Sequence, residues 1–114
     1  MKDDSVYLKH ILDAITRIES YTEGKNYDDF INNPLIRDGV IRQIEIMGEA
    51  TKRLSMEMRE KYSEIPWKDI TAMGDKLIHD YIGIDLDAVW DTVERDIPSL
   101  KDKLKTIFEK EYGI

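Results

Sequence analysis

The residues with the clearest capacity for chemistry lie between Gly74 and Tyr81, a stretch that contains one of the two histidines of the chain. Histidine side chains titrate near neutral pH, so His79 could give or take a proton. Asp75 and Lys76 precede His79 by four and three residues and therefore share roughly one helical face with it. Asp75 could orient the imidazole, and Lys76 could contact a phosphate. The stretch predicts an acid–base site with a cation beside it.

Tyr81 fits this site less simply, because two residues place it about 200° around an ideal helix from His79. It can join His79 only if the helix unwinds near Gly83 or if a second subunit brings the parts together. An ordinary structural reading is also open. A lone helical histidine is usually a surface or packing residue, Asp75 could be a solvated charge, Tyr81 could be core, and Gly74 could serve packing or act as a hinge.

Motifs for other chemistries are missing from the sequence. The chain has no cysteine, which excludes disulfides, thiolate metal ligands and a cysteine nucleophile. It contains no His-Glu-x-x-His, no Walker loop and no Gly-x-Ser-x-Gly. We therefore expect neither a metal nor a cofactor. His10 is expected at the surface, and four methionines are expected in the core: Met47, Met56, Met58 and Met73.

Length and composition predict a single domain over residues 1–114, with 41% apolar residues for a core and 36% charged residues for exposed helical faces. The lack of cysteine fits the cytoplasm. No apolar run approaches the ~20 residues of a membrane span, and the N-terminus lacks the apolar core of a signal peptide. A net charge of −7 argues against sequence-independent nucleic-acid binding. Any RNA site must therefore be local or built from two subunits.

Apolar periodicity predicts amphipathic helices and no strand. The first helix should run from about residue 5 to 22, followed by a short helical turn over Tyr27–Ile31. Asn33 and Pro34 start the second helix, which we expect to continue to about Lys61.

The third predicted helix opens at Pro66, carries its apolar side as far as Tyr81 and is closed by Gly83. The fourth is capped by Asp85 and keeps its apolar spacing across Pro98, which predicts one kinked helix rather than two. Short connections between long amphipathic helices predict an all-α, antiparallel, up-and-down bundle of four main helices plus the short extra turn. The alternating apolar seams would also suit a dimer.

The second predicted helix has two further features. Gly48 lies in its middle, where glycine costs about 1 kcal/mol relative to alanine, and this predicts close approach of a neighbouring helix. One side of the helix is basic. Pairing with Glu45, Glu49 and Glu57 is expected to account for most of these cations, with Arg42 the one of most interest. The basic residues are Arg37, Arg42, Lys52, Arg53 and Arg59.

Several segments closely resemble the HepT-like branch of the HEPN superfamily: Ile65-Pro66-Trp67, Met73, Lys76 to Leu86, Val89-Trp90 and the upstream Glu45 to Ala50. The resemblance covers nearly the whole chain in order. It implies a HEPN-like helical bundle that forms a homodimer. It also implies the toxin of a type VII HepT/MntA-like toxin–antitoxin system, a metal-independent RNA endonuclease whose antitoxin is an MntA-like nucleotidyltransferase.

The motif of that family is Arg, four to six residues, His, one residue, Tyr. On the resemblance, His79 would be the acid–base residue, and Tyr81 would accept AMP from the nucleotidyltransferase. The arginine should fall at position 74, 73 or 72, and these positions hold Gly74, Met73 and Ala72. The motif arginine is therefore missing.

This difference has a chemical consequence for the expected activity. Loss of one donor that stabilises transition-state charge typically costs ~10²–10³-fold in rate. Lys76 could substitute in part, although it lacks the bidentate fork of arginine. Asp75 lies where the family commonly has a small polar residue. The resemblance therefore implies a ribonuclease that is attenuated or inactive because Gly74 replaces the arginine.

Two functional readings follow from the sequence. In the first, the chain cleaves RNA, either tRNA or mRNA, with His79, Asp75 and Lys76 in the site and regulation by AMPylation of Tyr81. In the second, it is a non-catalytic helical partner or nucleotide-binding subunit of a small nucleotidyltransferase. Both readings describe a cytoplasmic protein that acts on neither DNA nor membranes.

Overall fold

The computed structural model describes residues 3–80 and 82–114, and within them every regular element is helical. The prediction of an all-α fold is confirmed. None of the described helices is long and apolar enough to cross a bilayer. The helices are α1 Asp4–Thr22, α2 Tyr27–Asn32, α3 Pro34–Lys52, α4 Met56–Lys61, α5 Trp67–His79, α6 Leu86–Asp91, a π-helical segment Thr92–Asp96 and α7 Ile97–Tyr112.

The first two helices begin and end as their sequence signals predict. The Asp3 carboxylate accepts the backbone N–H of Ser5 at 3.0 Å and caps α1. Gly24 adopts a left-handed φ of +70°, which lets the chain turn after α1. Asn26 and Asp29 form a capping box around the start of α2. The buried face of α1 is formed by Leu8, Ile11, Ala14, Ile15 and Ile18.

The predicted length of the second helix is wrong. Helix α3 ends at Lys52, and the chain leaves helical geometry until Ser55, whose hydroxyl accepts the N–H of Met58 at 3.1 Å and caps α4. The Asp4 carboxylate also accepts both the N–H and the hydroxyl of Ser55, at 2.8 and 2.7 Å. A cap with two long-range bonds fixes the break at this point.

Apolar spacing conceals this break because Leu54, within the break, and Met58, in α4, are both buried. The prediction that Met56 is core is wrong as well. Met56 is the first residue of α4, and its side chain is 68% exposed. Met47 and Met58 are buried and Met73 packs against the core, as predicted.

The third predicted helix ends earlier than expected. Helix α5 starts at Trp67, after Pro66, and its last residue is His79. Asp80 then accepts the N–H of Gly83 through its carboxylate at 3.3 Å, which replaces the next helical turn. The expected apolar contribution of Tyr81 lies outside the described residues.

The fourth predicted helix is unbroken, as expected, although its hydrogen bonding changes before Pro98. The N–H of Ile97 donates to the carbonyl of Thr92, five residues back, and the helix widens into the π-helical segment. Proline has no N–H and clashes with the preceding turn of an α-helix. The wider turn accommodates Pro98 without interrupting the helix.

Helix α3 is central in the bundle, and α1 and α5 make the most extensive contacts with it. Helices α3 and α5 run in opposite directions. Position 48 of α3 approaches the carbonyl of Ile70, and position 74 of α5 approaches the carbonyl of Ile44. Helix α7 packs against α1. The arrangement agrees with the predicted antiparallel bundle.

Candidate functional site

The site is anchored by a close crossing of α3 and α5. A Cβ atom built on Gly74 would lie 3.1 Å from the Cα of Gly48, closer than ordinary packing allows. The predicted close approach at Gly48 is therefore confirmed, and its neighbour is Gly74. Both residues are buried. The packing role considered for Gly74 is the one that the structure shows, and any larger side chain at position 74 would start against the backbone of α3.

The side chain of His79 lies at the exposed end of α5. Within residues 3–80 and 82–114, no hydrogen bond or ion pair holds its imidazole. Lys76, one turn earlier, is also exposed and forms no ion pair in the described part of the chain. An imidazole and an ammonium group are therefore both accessible at this helix end.

Asp75 does not stand free beside them. Its carboxylate accepts a hydrogen bond from the ammonium of Lys52 on α3, which also pairs with Glu49 at 3.2 Å. The hydrogen bond to Asp75, followed by that to Glu49, raises the pKa of Lys52. Orientation of His79 by Asp75 stays a prediction, and the structure assigns the carboxylate to Lys52.

Sequence reasoning missed Lys52 as a partner of the site. Sequence spacing predicts contacts within one helix, and the Lys52–Glu49 pair could be predicted from it. The contact with Asp75 joins residues 23 positions apart and depends on how α3 crosses α5. No local pattern encodes that crossing except the two glycines.

The surroundings of His79 are partly apolar. Ile78 is 40% exposed, and Ile82, which immediately precedes Gly83, is 98% exposed. Tyr81, the predicted AMP acceptor, lies outside the described residues. In the described part of the chain, no group of three or more His, Cys, Asp and Glu residues is arranged to hold a metal ion.

The basic side predicted for the second helix is only partly neutralised. Arg42 pairs with Glu45 at 3.3 Å and Lys52 with Glu49, as expected. Arg59 does not show the expected pairing with Glu57. Its Nε is buried and has no acceptor among the described residues. His10 is exposed, as predicted.

The fold and the site together define a small helical bundle that presents an accessible histidine at the end of a packed helix. Comparison with known families identifies the class more closely. The family model described as "Ribonuclease HepT-like" matches residues 11–107. The chain belongs to the HepT-like ribonuclease family.

Three relatives illustrate the similarity. A Methanocaldococcus jannaschii protein named "Gamma-glutamylcyclotransferase and putative RNase" is 50% identical over 96% of this chain and 49% of its own length. A "Putative RNase" of Caldanaerobacter subterraneus subsp. tengcongensis is 40% identical over 97% of this chain and 99% of its own. The "Probable ribonuclease HepT" of Thermococcus cleftensis is 42% identical over 89% of this chain and 92% of its own.

The chain thus spans about half the length of the M. jannaschii relative and nearly all of the other two. No solved structure matches it.

Proposed function

We propose that the chain is the toxin of a HepT/MntA-like type VII toxin–antitoxin pair and acts as a metal-independent RNA endonuclease. Membership of the HepT-like ribonuclease family over residues 11–107 is the observation that carries this proposal. The names of the three relatives all include the word RNase or ribonuclease, which supports RNA as the substrate. The accessible imidazole at the end of α5 supports His79 as the reacting side chain.

The proposed reaction needs a base, an acid and stabilisation of charge on phosphorus. His79 takes the proton of a ribose 2′-OH, and the 2′-oxygen attacks the adjacent phosphorus. The bond to the 5′-oxygen breaks, and that oxygen leaves with a proton from a second imidazolium. The products are a 2′,3′-cyclic phosphate and a 5′-hydroxyl. Positioned acid–base groups typically contribute about 10²–10⁴-fold to such a rate.

The negative charge that develops on the non-bridging phosphate oxygens would be stabilised only weakly by this chain. Position 74 holds a buried glycine in place of the motif arginine, and Lys76 is the cation one turn before His79. An ammonium group is a point charge that cannot form the two parallel hydrogen bonds of a guanidinium. We therefore propose that the chain is a slow ribonuclease. Its cleavage rate would be ~10²–10³-fold lower than that of a site that keeps the arginine.

A homodimer completes the proposed site. Two copies of His79 facing across a two-fold axis would supply both the base and the acid, and two Lys76 ammonium groups would concentrate positive charge there. The rest of an acidic chain with net charge −7 would disfavour non-specific RNA binding. Substrate choice, among tRNA and mRNA, would then depend on local contacts.

Control of this activity is proposed to act at Tyr81. An MntA-like nucleotidyltransferase antitoxin would transfer AMP to its hydroxyl, two residues from His79 in the chain. Added phosphate charge beside the site would repel the RNA backbone. A mass gain of one or more AMP units that disappears in Tyr81→Phe would support the assignment, and AMP on another residue would exclude it.

A second candidate function is a non-catalytic partner or nucleotide-binding subunit of the nucleotidyltransferase. The specific observation in its favour is Gly74, which occupies the motif position of the arginine and packs against Gly48. The fold, the dimer and the partner would be the same. Only RNA cleavage would be missing.

Cleavage of RNA by the purified protein in the presence of EDTA distinguishes the two candidates. The ribonuclease proposal predicts slow cleavage with 2′,3′-cyclic phosphate ends, and loss of that cleavage in His79→Ala. Equal cleavage by the parent and His79→Ala would contradict the assignment of the reaction to His79. Complete inactivity of the parent would favour the second candidate.

A matched pair of variants then tests the missing arginine. Both Gly74→Ala and Gly74→Arg place a Cβ atom 3.1 Å from Gly48, and only the second adds a guanidinium. Faster cleavage by Gly74→Arg than by Gly74→Ala would show that the scaffold lacks only this charge. If the two cleave alike, the arginine does not account for the reduced rate.

A further inference from the structure

An open cavity of about 510 Å³ lies between α4 and the beginning of α5. Its floor is apolar and includes Trp67 and Ile65, with Pro66 and the exposed side chain of Met56 at the edge. Its volume falls within the range of small-molecule pockets, about 300–1,000 Å³. A planar, partly apolar group such as a nucleobase would fit a cavity of this size and lining.

Arg59 lines the same cavity and is unusual among the cations of the chain. Its Nε is buried and has no acceptor among residues 3–80 and 82–114. The two terminal amino groups of its guanidinium also have no hydrogen bond or ion pair there, but they are not buried, so they are the donors that a ligand in the cavity could reach. A buried donor left without a partner destabilises the folded state. The planar fork of a guanidinium forms two parallel hydrogen bonds with the oxygens of a phosphate or a carboxylate.

The cavity and the histidine site lie along one side of α5. Lys68, which also lines the cavity, precedes His79 by eleven residues. In an α-helix that spacing corresponds to about 16 Å along the axis and only about 20° around it. Both side chains are exposed, and Ala72 between them is small and exposed too. A single strand could therefore pass from one site to the other along this face.

We infer that the cavity between α4 and α5 is a nucleotide subsite for RNA, in which Arg59 binds a backbone phosphate and the apolar floor receives the adjoining base. Lys68 holds the next part of the backbone and directs the strand along α5 toward His79. The subsite lies a few nucleotides from the cleavage position. This inference rests on the proposed function, because it assumes that the substrate of His79 is RNA.

Acidic groups at the edge limit what the subsite can hold. Glu60 and Asp69 also line the cavity. Together with Arg59 and Lys68 they leave it without a net charge, so it would not attract nucleic acid in general. Binding then depends on the geometry of one guanidinium and one base pocket, which fits a specific subsite better than an electrostatic surface.

Binding of a short, fluorescein-labelled, single-stranded RNA of mixed sequence tests the inference by fluorescence anisotropy. Arg59→Met keeps the length of the side chain and removes the guanidinium. We expect its Kd for RNA to rise about tenfold. The slope of log Kd against log salt should decrease by about one, the value for loss of one phosphate contact. Arg17→Ala, an exposed arginine on α1, removes the same charge and should bind RNA as the parent does.

Thermal unfolding of Arg59→Met separates a binding role from a structural one. Because the substitution removes a buried donor without a partner, the Tm should stay the same or rise while RNA binding weakens. A lower Tm with unchanged Kd would overturn the inference. So would an equal loss of binding in Arg17→Ala, or Arg59-dependent binding of AMP alone with RNA binding unaffected.

The proposed function and this inference fail in different ways. If His79→Ala abolishes cleavage while Arg59→Met binds and cleaves RNA as the parent does, the ribonuclease proposal holds and the subsite is excluded. If the parent neither binds nor cleaves RNA, the proposed function itself fails. Reduced kcat/KM in Arg59→Met, with kcat at saturating RNA unchanged, supports both.

Discussion

Helix α5 carries a buried tryptophan in its first turn and an exposed histidine at its end. At its start, Trp67 is 6% exposed, and its indole N–H donates to the carbonyl of Tyr62 at 3.1 Å. In its middle, Gly74 lies against Gly48 of α3. Its last residue, His79, is exposed and has no hydrogen-bond partner among the described residues. Three residues later, Ile82 is 98% exposed.

This contrast separates the residues that hold the helix from those that can meet a substrate. A side chain largely enclosed by the core contributes mainly packing energy, whereas a side chain at the exposed helix end contributes little to packing. Substitutions at the buried positions of α5, such as Trp67 and Gly74, should therefore change the free energy of unfolding. Substitutions at its end should change RNA cleavage and leave the free energy of unfolding nearly the same.

The largest expected effect on stability is at the buried start of the helix. Trp67→Ala removes a buried aromatic side chain and leaves the carbonyl of Tyr62 without its indole donor. We expect a loss of about 3–5 kcal/mol in the free energy of unfolding, measured by urea denaturation. The matched control is Ile82→Ala at the exposed end, expected to change stability by less than about 0.5 kcal/mol. Similar losses for both variants would contradict the contrast.

The close crossing of α3 and α5 gives the next largest effect. Gly48→Ala places a methyl group 3.1 Å from the backbone of Gly74, and such overpacking costs about 1–3 kcal/mol. This exceeds the gain of about 1 kcal/mol in helix propensity, so the Tm should fall.

A second glycine on α3 provides the control for this prediction. At Gly39 the nearest atoms belong to the ring of Tyr21, a partly exposed side chain that can rotate away. Gly39→Ala should therefore keep or raise the Tm through helix propensity. If the Tm of Gly48→Ala equals or exceeds that of Gly39→Ala, a methyl group at position 48 fits between α3 and α5 without overpacking, and the prediction is wrong.

The contact between Gly48 and Gly74 also shows how much of the fold the sequence can predict. A glycine in mid-helix predicted a close neighbour for Gly48, and the amphipathic spacing predicted the four main helical runs. Neither signal identified Gly74 as the neighbour, because helix pairing depends on the whole core. The break after Lys52 was missed because Leu54 and Met58 stay buried across it, while the Asp4–Ser55 contact that fixes it joins distant residues.

The roles of the candidate site residues stay predictions, and the structure shows only which of these residues are accessible. The residue types marked His79 and Lys76, and both are accessible. The contact between Asp75 and Lys52 was not predictable, since it spans two helices. The unpaired guanidinium of Arg59 was not predicted, because the sequence places Glu57 two residues away and suggested that the two side chains would form an ion pair.

A pH-dependent effect is expected where α4 meets the end of α7, beside the buried start of α5. The Glu111 carboxylate accepts from Lys61 at 2.7 Å and from the Tyr62 hydroxyl at 2.5 Å, and these bonds lower the pKa of Glu111. Because the pKa of Glu111 is lower in the folded state, these bonds contribute stability at pH values above its unfolded pKa, about 4.3. That stability is lost as the pH falls through the folded-state pKa of Glu111.

At alkaline pH the same hydrogen bonds affect stability through the protonated forms of Tyr62 and Lys61. The hydrogen bond to Glu111 raises the pKa of Tyr62 and that of Lys61. Their contribution is present below their unfolded pKa values, about 10, and is lost as pH rises through the folded ones. Urea denaturation across pH should show both losses, and Glu111→Gln should flatten both. An unchanged pH profile in that variant would exclude the network as the cause.

The smallest expected effect concerns the ion pair of Lys52 and Asp75, which links the packed and free parts of α5. Both side chains are 42% exposed. Exposed pairs contribute about 0–1 kcal/mol, so a double-mutant cycle with alanine at both positions should give a coupling energy in that range. A much larger coupling would mean that this pair, rather than the glycine crossing, fixes the end of the helix.

The most direct test of the account is the single-turnover rate of RNA cleavage by His79→Ala, measured with EDTA and at the same folded fraction as the parent. We expect the cleavage rate to fall by about 10²-fold or more while the Tm stays within experimental error of the parent. An unchanged cleavage rate would contradict the assignment of chemistry to the free end of α5. A large drop in Tm would show instead that His79 is part of the packing.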